Sequence, residues 1–402
     1  MTKQTTDFLI IGGGIIGINM ALNARERYPA AKITLIEKEP KVGLHASGRN
    51  SGVLHAGFYY TSDSLKAKFT RDGNKALTSF CTENKLKINR CGKLVVVKNE
   101  SELPAFQTLI ERGKKNEVEI NEVTEKEAKE IEPRAKTFQK ALFSPTTSSV
   151  DPVEVVNCMY KNAINLGIEI LVDTCFIKKT NTGIQTNKGD IDAGYIINTA
   201  GLYADKIAKE FDFCKDYTIV PFKGLYIYGS ETSNKIKTHI YPVPNLKNPF
   251  LGVHFTITAD NKVKLGPTAI PAFWREHYKG MDNFKLNEFI DITTKEAGFF
   301  VRNDFKFRTL AFNEFMKYRQ SHMVKLASEL ASDLKTANYK KRGAAGIRAQ
   351  LLNTTNRTLE MDFKFEGDHK SFHILNAVSP AFTCSIPFTN YLFNQIETLV
   401  NN

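Results

Sequence analysis

Three glycines and one acid near the start of the chain have the types and the spacing to hold a dinucleotide. Gly12, Gly14 and Gly17 form G-x-G-x-x-G, and Glu37 follows 20 residues after the last of them. Each position has a mechanical reason. Gly12 permits a tight turn. Gly14 lets backbone approach a pyrophosphate, and Ile15 opens a helix whose N-terminus attracts that charge. Gly17 lets helix and sheet pack closely. Glu37, with Lys38 beside it, ends the next strand, where a carboxylate accepts ribose hydroxyls and disfavours the 2′-phosphate of NADP. Between FAD and NAD the fingerprint is silent.

The motif is weak evidence by itself, so the elements around it matter. The apolar run Phe8 to Ile11 precedes it, an alanine-bearing helix follows, and a second apolar run, Ile33 to Ile36, leads to Glu37. That is a βαβ unit. Further on, Lys93 to Val97 reads as a strand and Glu102 to Glu132 as a charged helical stretch ended by Pro133. Asp151-Pro152 starts a helix that leads to a strand at Ile168 to Val172. Asp192 to Ala200 is a buried-looking strand that ends on Ala200-Gly201, a second place where backbone can meet a ligand; its plainer reading is a tight βα turn. Val220 to Thr268 alternates as an antiparallel sheet would. Residues 285 to 338 read mostly as helix, with an amphipathic stretch from Phe312 to Leu334. The chain closes on short strands and a helix after Pro387.

The expected architecture is therefore α/β combined with α+β. Residues 1–90, 150–215 and 340–402 form a discontinuous Rossmann-like nucleotide domain. Residues 91–149 and 216–339 form a discontinuous substrate domain of antiparallel sheet and helices.

Composition excludes several classes. The chain has 402 residues, enough for two cored domains. No apolar stretch reaches the roughly 18 residues of a spanning helix. The N-terminus runs directly into the first strand, so neither a signal nor a transit peptide is expected, and a cytoplasmic location is the default. Six scattered cysteines with no C-x-x-C argue against a disulfide framework or a zinc site, and the histidines show no metal spacing. The net charge of +12 fits an anionic substrate, an anionic membrane surface or nucleic acid, or simply a lysine-rich solvated surface. Nucleic acid is disfavoured because the basic clusters lack interleaved aromatics and any known module.

Residues 44–60 read LHASGRNSGVLHAGFYY, a Gly/Ser/Asn/His-rich loop with little reason to exist as packing. With GGGIIG, NTAGLYAD (198–205), YPVPNLKNPFLGVHFT (241–256), KLGPTAIPAF (264–273), GIRAQL (346–351) and VSPAFT (378–383), it resembles the L-2-hydroxyglutarate dehydrogenase/oxidase family. That family lies within the D-amino-acid-oxidase (DAO) superfamily of FAD oxidoreductases. The resemblance spans nearly the whole chain. It implies a glutathione-reductase/DAO-type FAD-binding domain and non-covalent FAD. Gly12, Gly14, Gly17 and Glu37 would hold the ADP half. Ser47, Arg49, Asn50, Ser51 and Gly52 would line the diphosphate and flavin edge. Val172 would offer backbone near the adenine, and Ala200 and Gly201 would pass close to the cofactor. The turn Pro380, Ala381, Phe382, Thr383 would present amides or a helix N-terminus to the flavin N1/C2 edge, where positive dipoles stabilise the anionic reduced ring. Ala381 stands where relatives carry glycine, and Pro387 suggests a late start for the last helix.

The implied reaction is oxidation of an L-2-hydroxy acid, best matched by L-2-hydroxyglutarate, with hydride passing from Cα to flavin N5. A base must take the hydroxyl proton and a cation must hold the carboxylate. Arg348 suits a bidentate carboxylate clamp; its other readings are a surface or phosphate-edge arginine. Lys223 is a candidate for a second carboxylate. His55 and His254 have the imidazole pKa range a base needs. His55 ranks first because it lies in the flavin loop, and His254 reads equally as a satisfied core histidine. Tyr59, Tyr60, Tyr226 and Tyr241 offer hydroxyls to substrate, or pack. Electrons would leave to a quinone, another acceptor or oxygen, and the basic surface fits peripheral contact with the inner face of a membrane. Two alternatives stand beside this: an amine oxidase of the glycine or sarcosine type, and a flavin-bearing tRNA-modifying protein.

Overall fold

The computed structural model describes residues 4–230, 235–245 and 250–401. Residues 246–249, within the YPVPNLKNPFLGVHFT stretch, lie outside the described residues. Two compact units emerge. The first consists of Met1–Asn50, Pro152–Val220 and Arg348–Asn402; the second of Ser51–Asp151 and Pro221–Ile347.

The first unit is built on an eight-stranded sheet. Gln4–Ile11 lies between Ile33–Ile36 and Gly189–Asn198, parallel to both. Glu169–Leu171 extends the sheet beyond Ile33–Ile36, and Ser371–Asn376 joins the end of Gly189–Asn198 in parallel. A parallel strand covered on both faces must be apolar throughout, which is why Leu9, Ile10 and Ile11, and likewise Ile33, Leu35 and Ile36, are all buried. The helix Ile15–Arg27 packs against the helices Pro152–Asn165 and Ala381–Asn401. Phe8, Tyr28 and Phe393 cluster there with centroids 5.1–6.1 Å apart, and Arg27 pairs with Glu397 at 2.5 Å.

The closing helix starts at Ala381 and not after Pro387, which sits inside it. An internal proline removes one helical bond and crowds the preceding turn, at about 3 kcal/mol. Burial of Phe388, Leu392, Phe393 and Ile396 against the unit's core outweighs that.

The second unit holds an eight-stranded sheet. Its order is Lys341–Arg342, Ile227–Tyr228, Val263–Gly266, His254–Ile257, His239–Pro242, Lys93–Val96, Lys140–Ser144, Asn121–Thr124. All neighbours are antiparallel except His239–Pro242 and Lys93–Val96, which run parallel. Alternation sends side chains to opposite faces. Leu94, Val96, Ile240, Phe255, Ile257, Val263 and Leu265 share one core with Met323 and Val324. Val95, Val97, Tyr241 and Val243 share the other with Phe58, Phe106 and Leu109.

Several expectations change. Residues 51–90 belong to the second unit, because Val53–Leu54 pairs with Ser148–Val150 and the Asn74 amide ties Leu54 and Thr146 together. The boundaries near 150, 215 and 340 fall instead at 151/152, 220/221 and 347/348. The stretch 102–132 is not one helix. Leu103–Lys115 ends, Asn121–Thr124 forms a strand, and Glu125–Ile131 restarts under a Thr124/Glu127 capping box. The amphipathic stretch from Phe312 to Leu334 likewise divides into Phe307–Met316 and Gln320–Ala327.

Candidate active site

The glycine fingerprint forms a cradle with no room for side chains. Gly12 has φ +112°, and a Cβ there would lie 2.7 Å from the Thr199 carbonyl oxygen. At Gly17 a Cβ would lie 2.0 Å from the Gly12 carbonyl oxygen, and at Gly14 3.1 Å from Ser47 Oγ. The turn after Gly189–Asn198 thus abuts the first glycine. The helix Ile15–Arg27 begins on Gly14, extended and without a side-chain cap, so the helix N-terminus presents amide donors to an anion.

Glu37 is buried, and its carboxylate is aimed by two backbone amides: Gly13 donates to Oε2 at 2.7 Å and Glu39 to Oε1 at 3.0 Å. Ser47 Oγ accepts from the Ile15 amide at 2.9 Å. Its loop is braced from within, Arg49 Nε donating to the Leu44 carbonyl and the Asn50 amide to those of Ala46 and Ser47. Lys38 pairs with Glu39 and lies over the Tyr203 ring. Cradle, dipole and fixed carboxylate fit a dinucleotide.

Other expected cofactor residues fall variously. Val172 lies just past its strand, and its carbonyl already accepts from Thr174 Oγ1 and Lys188 Nζ. Ala200 turns on the Asn198 side chain, and Gly201 follows with φ +52°. Pro380 precedes the closing helix, and Ala381, Phe382 and Thr383 are its first residues, so that turn does end in a helix N-terminus. Arg348 stands half-buried on the strand Gly346–Asn353, as the first residue of the first unit's last segment. Ser51 and Gly52 belong to the second unit, their carbonyls bound by Lys264 Nζ and by the Val150 amide.

In the second unit, one sheet face is polar. Lys93 alternates with Leu94, Lys264 lies between Val263 and Leu265, and His254 precedes Phe255, so all three leave the Leu94 core for the opposite face. The register that sets Ile240 against Phe255 brings Tyr241 beside His254, and the rings stack at 3.7 Å. His254 Nδ1 lies 2.8 Å from the Gly252 carbonyl oxygen. Burial pushes the His254 pKa down to about 3, so the ring is neutral and carries its proton on Nδ1. His239 is also neutral and buried: Nδ1 accepts from the Ile257 amide, and Nε2 faces Cys91 Sγ and Ser149 Oγ.

Lys93 is fully buried, and burial lowers its pKa to about 7. Its Nζ lies 3.4 Å from His55 Nδ1 and 4.4 Å from the Tyr241 ring centre. Lys264 is buried over the Tyr226 ring with Nζ on the Ser51 carbonyl, and burial lowers it to about 8. Neither lysine has a carboxylate within ion-pair distance among the described residues. The Tyr59 hydroxyl is buried beside them with no partner among the described residues. Tyr60 is half-buried, its carbonyl held by the Asn116 amide. Lys223 is buried in the same unit, on Tyr217–Gly224, and burial lowers it to about 8.

The structure thus brings His55, His254, Tyr59 and Tyr241 around Lys93. Lys93 and Lys264 were missed from sequence. Their only local signal is a lysine flanked by apolar residues in KLVVV and VKLG.

The sequence model of the FAD dependent oxidoreductase (DAO) family matches residues 7–291. The chain belongs to that family and is an FAD-dependent oxidoreductase. It is 33% identical to an L-2-hydroxyglutarate dehydrogenase of Escherichia coli strain K12, across 98% of this chain and 94% of that one. It is 32% identical to the mitochondrial L-2-hydroxyglutarate dehydrogenase of Bos taurus, across 98% and 89%. In fold it is similar to an FAD-bound L-α-glycerophosphate oxidase from Mycoplasma pneumoniae, with TM-score 0.77, 22% identity and coverage of 99% and 95%. A glycine oxidase from Geobacillus kaustophilus shares the fold at TM-score 0.72 and 16% identity, covering 99% and 95%.

Proposed function

We propose that this enzyme oxidises L-2-hydroxyglutarate to 2-oxoglutarate. The observation that carries the reading is the pair of buried amines, Lys93 and Lys264, on a sheet face where neither makes an ion pair among the described residues, Asp151 acting on Lys264 only from longer range. Burying an amine without a counter-charge is unfavourable. A substrate carboxylate supplies that counter-charge to Lys264, which keeps its proton to about pH 8, while Lys93 acts on His55 in its neutral form; the relatives named above act on a dicarboxylate.

Non-covalently bound FAD would supply the acceptor for the hydride of the substrate Cα. Gly12, Gly14, Ile15, Gly17 and Glu37 would hold its ADP half, with Ser47 and the Ala381 helix terminus as further donors. His55 takes the hydroxyl proton on Nε2. For that, Nδ1 must carry the ring proton, and a neutral Lys93 accepts it there. His254, neutral with Nδ1 engaged, keeps a lone pair on Nε2 and serves as a hydrogen-bond acceptor; at a pKa near 3 it is a poor base. Tyr60 and Tyr241 add hydroxyls. Arg348 keeps the role of carboxylate clamp and Lys223 that of a second cation. Electrons leave to a quinone, another acceptor or oxygen. No helix among the described residues is long and apolar enough to cross a membrane; the net charge of +12 supports peripheral contact with an anionic one.

Anaerobic titration tests the reading. L-2-hydroxyglutarate should bleach the flavin spectrum. Bleaching by the D form alone, or by glycine or sarcosine alone, would discard it.

A further inference from the structure

We propose that the helical part of the second unit holds a binding site for an uncharged, largely apolar molecule bearing a carbonyl oxygen. The site is a cavity of about 420 Å³ between the helices Leu286–Arg302 and Phe307–Met316 and the segment after Ile270–Pro271. That volume lies in the range of small-molecule sites, roughly 300–1,000 Å³.

Its lining specifies the ligand. Phe273, Phe300, Phe307, Phe312 and Phe315 surround it, and one carboxyl, Glu296, faces into it. Glu296 is 7% exposed, and its Oε1 has no hydrogen-bond partner among the described residues. The other buried acids of these helices are satisfied. Glu314 accepts from the Ala269 amide and pairs with Lys317, and Glu288 accepts from the Arg275 amide and meets Lys285. Glu296 alone is left over, and burial raises its pKa to about 8, so near neutrality it is an O–H donor in apolar surroundings.

A cation is disfavoured because Arg308 also lines the cavity, its guanidinium capping the carbonyls of Phe300 and Val301. An anion is disfavoured because Arg308 spends its guanidinium on the Phe300 and Val301 carbonyls and the remaining walls are apolar. What remains is a neutral body with one acceptor for the Glu296 proton. Phe300, Phe312 and Phe315 are 53%, 68% and 40% exposed, so the walls continue outward and accommodate an apolar tail. Two sources carry this chemistry: a lipid-soluble quinone ring, and the acyl ester of a lipid.

Calorimetric titration of the FAD-loaded full chain, without substrate, tests the site. One arm uses a decyl-substituted benzoquinone and the other a short-chain diacylglycerol. Saturable one-site binding in either arm is expected and identifies the source. Ala297→Trp, at an exposed lining position, should weaken it more than tenfold. Glu296→Gln keeps a donor and should stay within about threefold, whereas Glu296→Leu should lose about tenfold. Glu296→Leu should also melt no lower than the parent, since it removes an unpaired buried acid. Binding in neither arm overturns the proposal, as does unchanged binding in both Ala297→Trp and Glu296→Leu. Because no turnover is involved, failure here leaves the oxidation reading untouched.

Discussion

Lys93 Nζ lies 3.4 Å from His55 Nδ1, and the protonation of the amine decides which nitrogen of the imidazole carries its proton. Below the Lys93 pKa of about 7, the ammonium donates to Nδ1, and the ring proton sits on Nε2. Above it, the amine accepts from Nδ1–H, and the ring's lone pair moves to Nε2. The kcat/KM for L-2-hydroxyglutarate should therefore rise with pH through about 7. Lys93→Met should lose that limb while FAD absorbance is retained. A profile unchanged in the variant rules the relationship out.

The same amine governs stability. Its folded pKa is depressed below the unfolded value near 10.5, so between about 7 and 10 the unfolded chain binds more protons than the folded one. Stability attributable to Lys93 should rise with pH across that window, and the penalty should be fully present below it. Lys93→Met should accordingly melt higher than the parent at pH 7 while turning over more slowly, which paired thermal melts and rate measurements would reveal.

The two imidazoles should separate. His55→Ala should lower kcat by about 10²–10⁴-fold, as expected for a lost general base. His254→Gln can still accept a hydrogen bond and should act mainly on KM. With its pKa near 3, His254 should contribute no limb to the rate profile between pH 5 and 9. Equal losses of kcat in both variants would contradict the assignment.

In the cradle, Gly17→Ala sets a methyl against the Gly12 carbonyl oxygen at 2.0 Å and Thr199 Oγ1 at 2.6 Å. Overpacking of this kind costs about 1–3 kcal/mol, and the protein should be recovered without FAD. Gly201→Ala meets nothing within 4 Å and bears only its φ of +52°, about 1–2 kcal/mol, and should keep its flavin. The absorbance ratio near 450 and 280 nm, roughly the flavin and protein bands, distinguishes them.

Glu37→Ala leaves the Gly13 and Glu39 amides without the carboxylate they aim. The buried Gly13 amide, once orphaned, costs about 1–3 kcal/mol, and the part-buried Glu39 amide less. FAD affinity, followed by flavin fluorescence on dilution, should fall at least tenfold, with Glu37→Gln intermediate.

The nucleotide cradle was legible because its chemistry is local: glycines, helix start and acid all lie within Gly12 to Glu37. The polar face of the second unit was not. Lys93 looks solvent-facing in KLVVV until His239–Pro242 is laid beside it, and that neighbour comes from a distant segment. His55 and His254 were recognisable as imidazoles, but their tautomers depend on Lys93 and the Gly252 carbonyl. Pro387 misled because a local breaker was overruled by burial of Phe388 and Phe393. The split at 51–90 was hidden because Val53–Leu54 is too short a strand to announce a partner.

The parallel pairing of Lys93–Val96 with His239–Pro242 also sets a schedule for synthesis. Between those strands the ribosome must make Pro152–Val220, which belongs to the other unit. Until Pro242 has emerged, one edge of the Leu94-Val95-Val96 strand has no native neighbour. Such an edge is a template for intermolecular pairing. Chains arrested between about residues 152 and 238 should aggregate through it, so the nascent protein's dependence on chaperones should be concentrated in that interval.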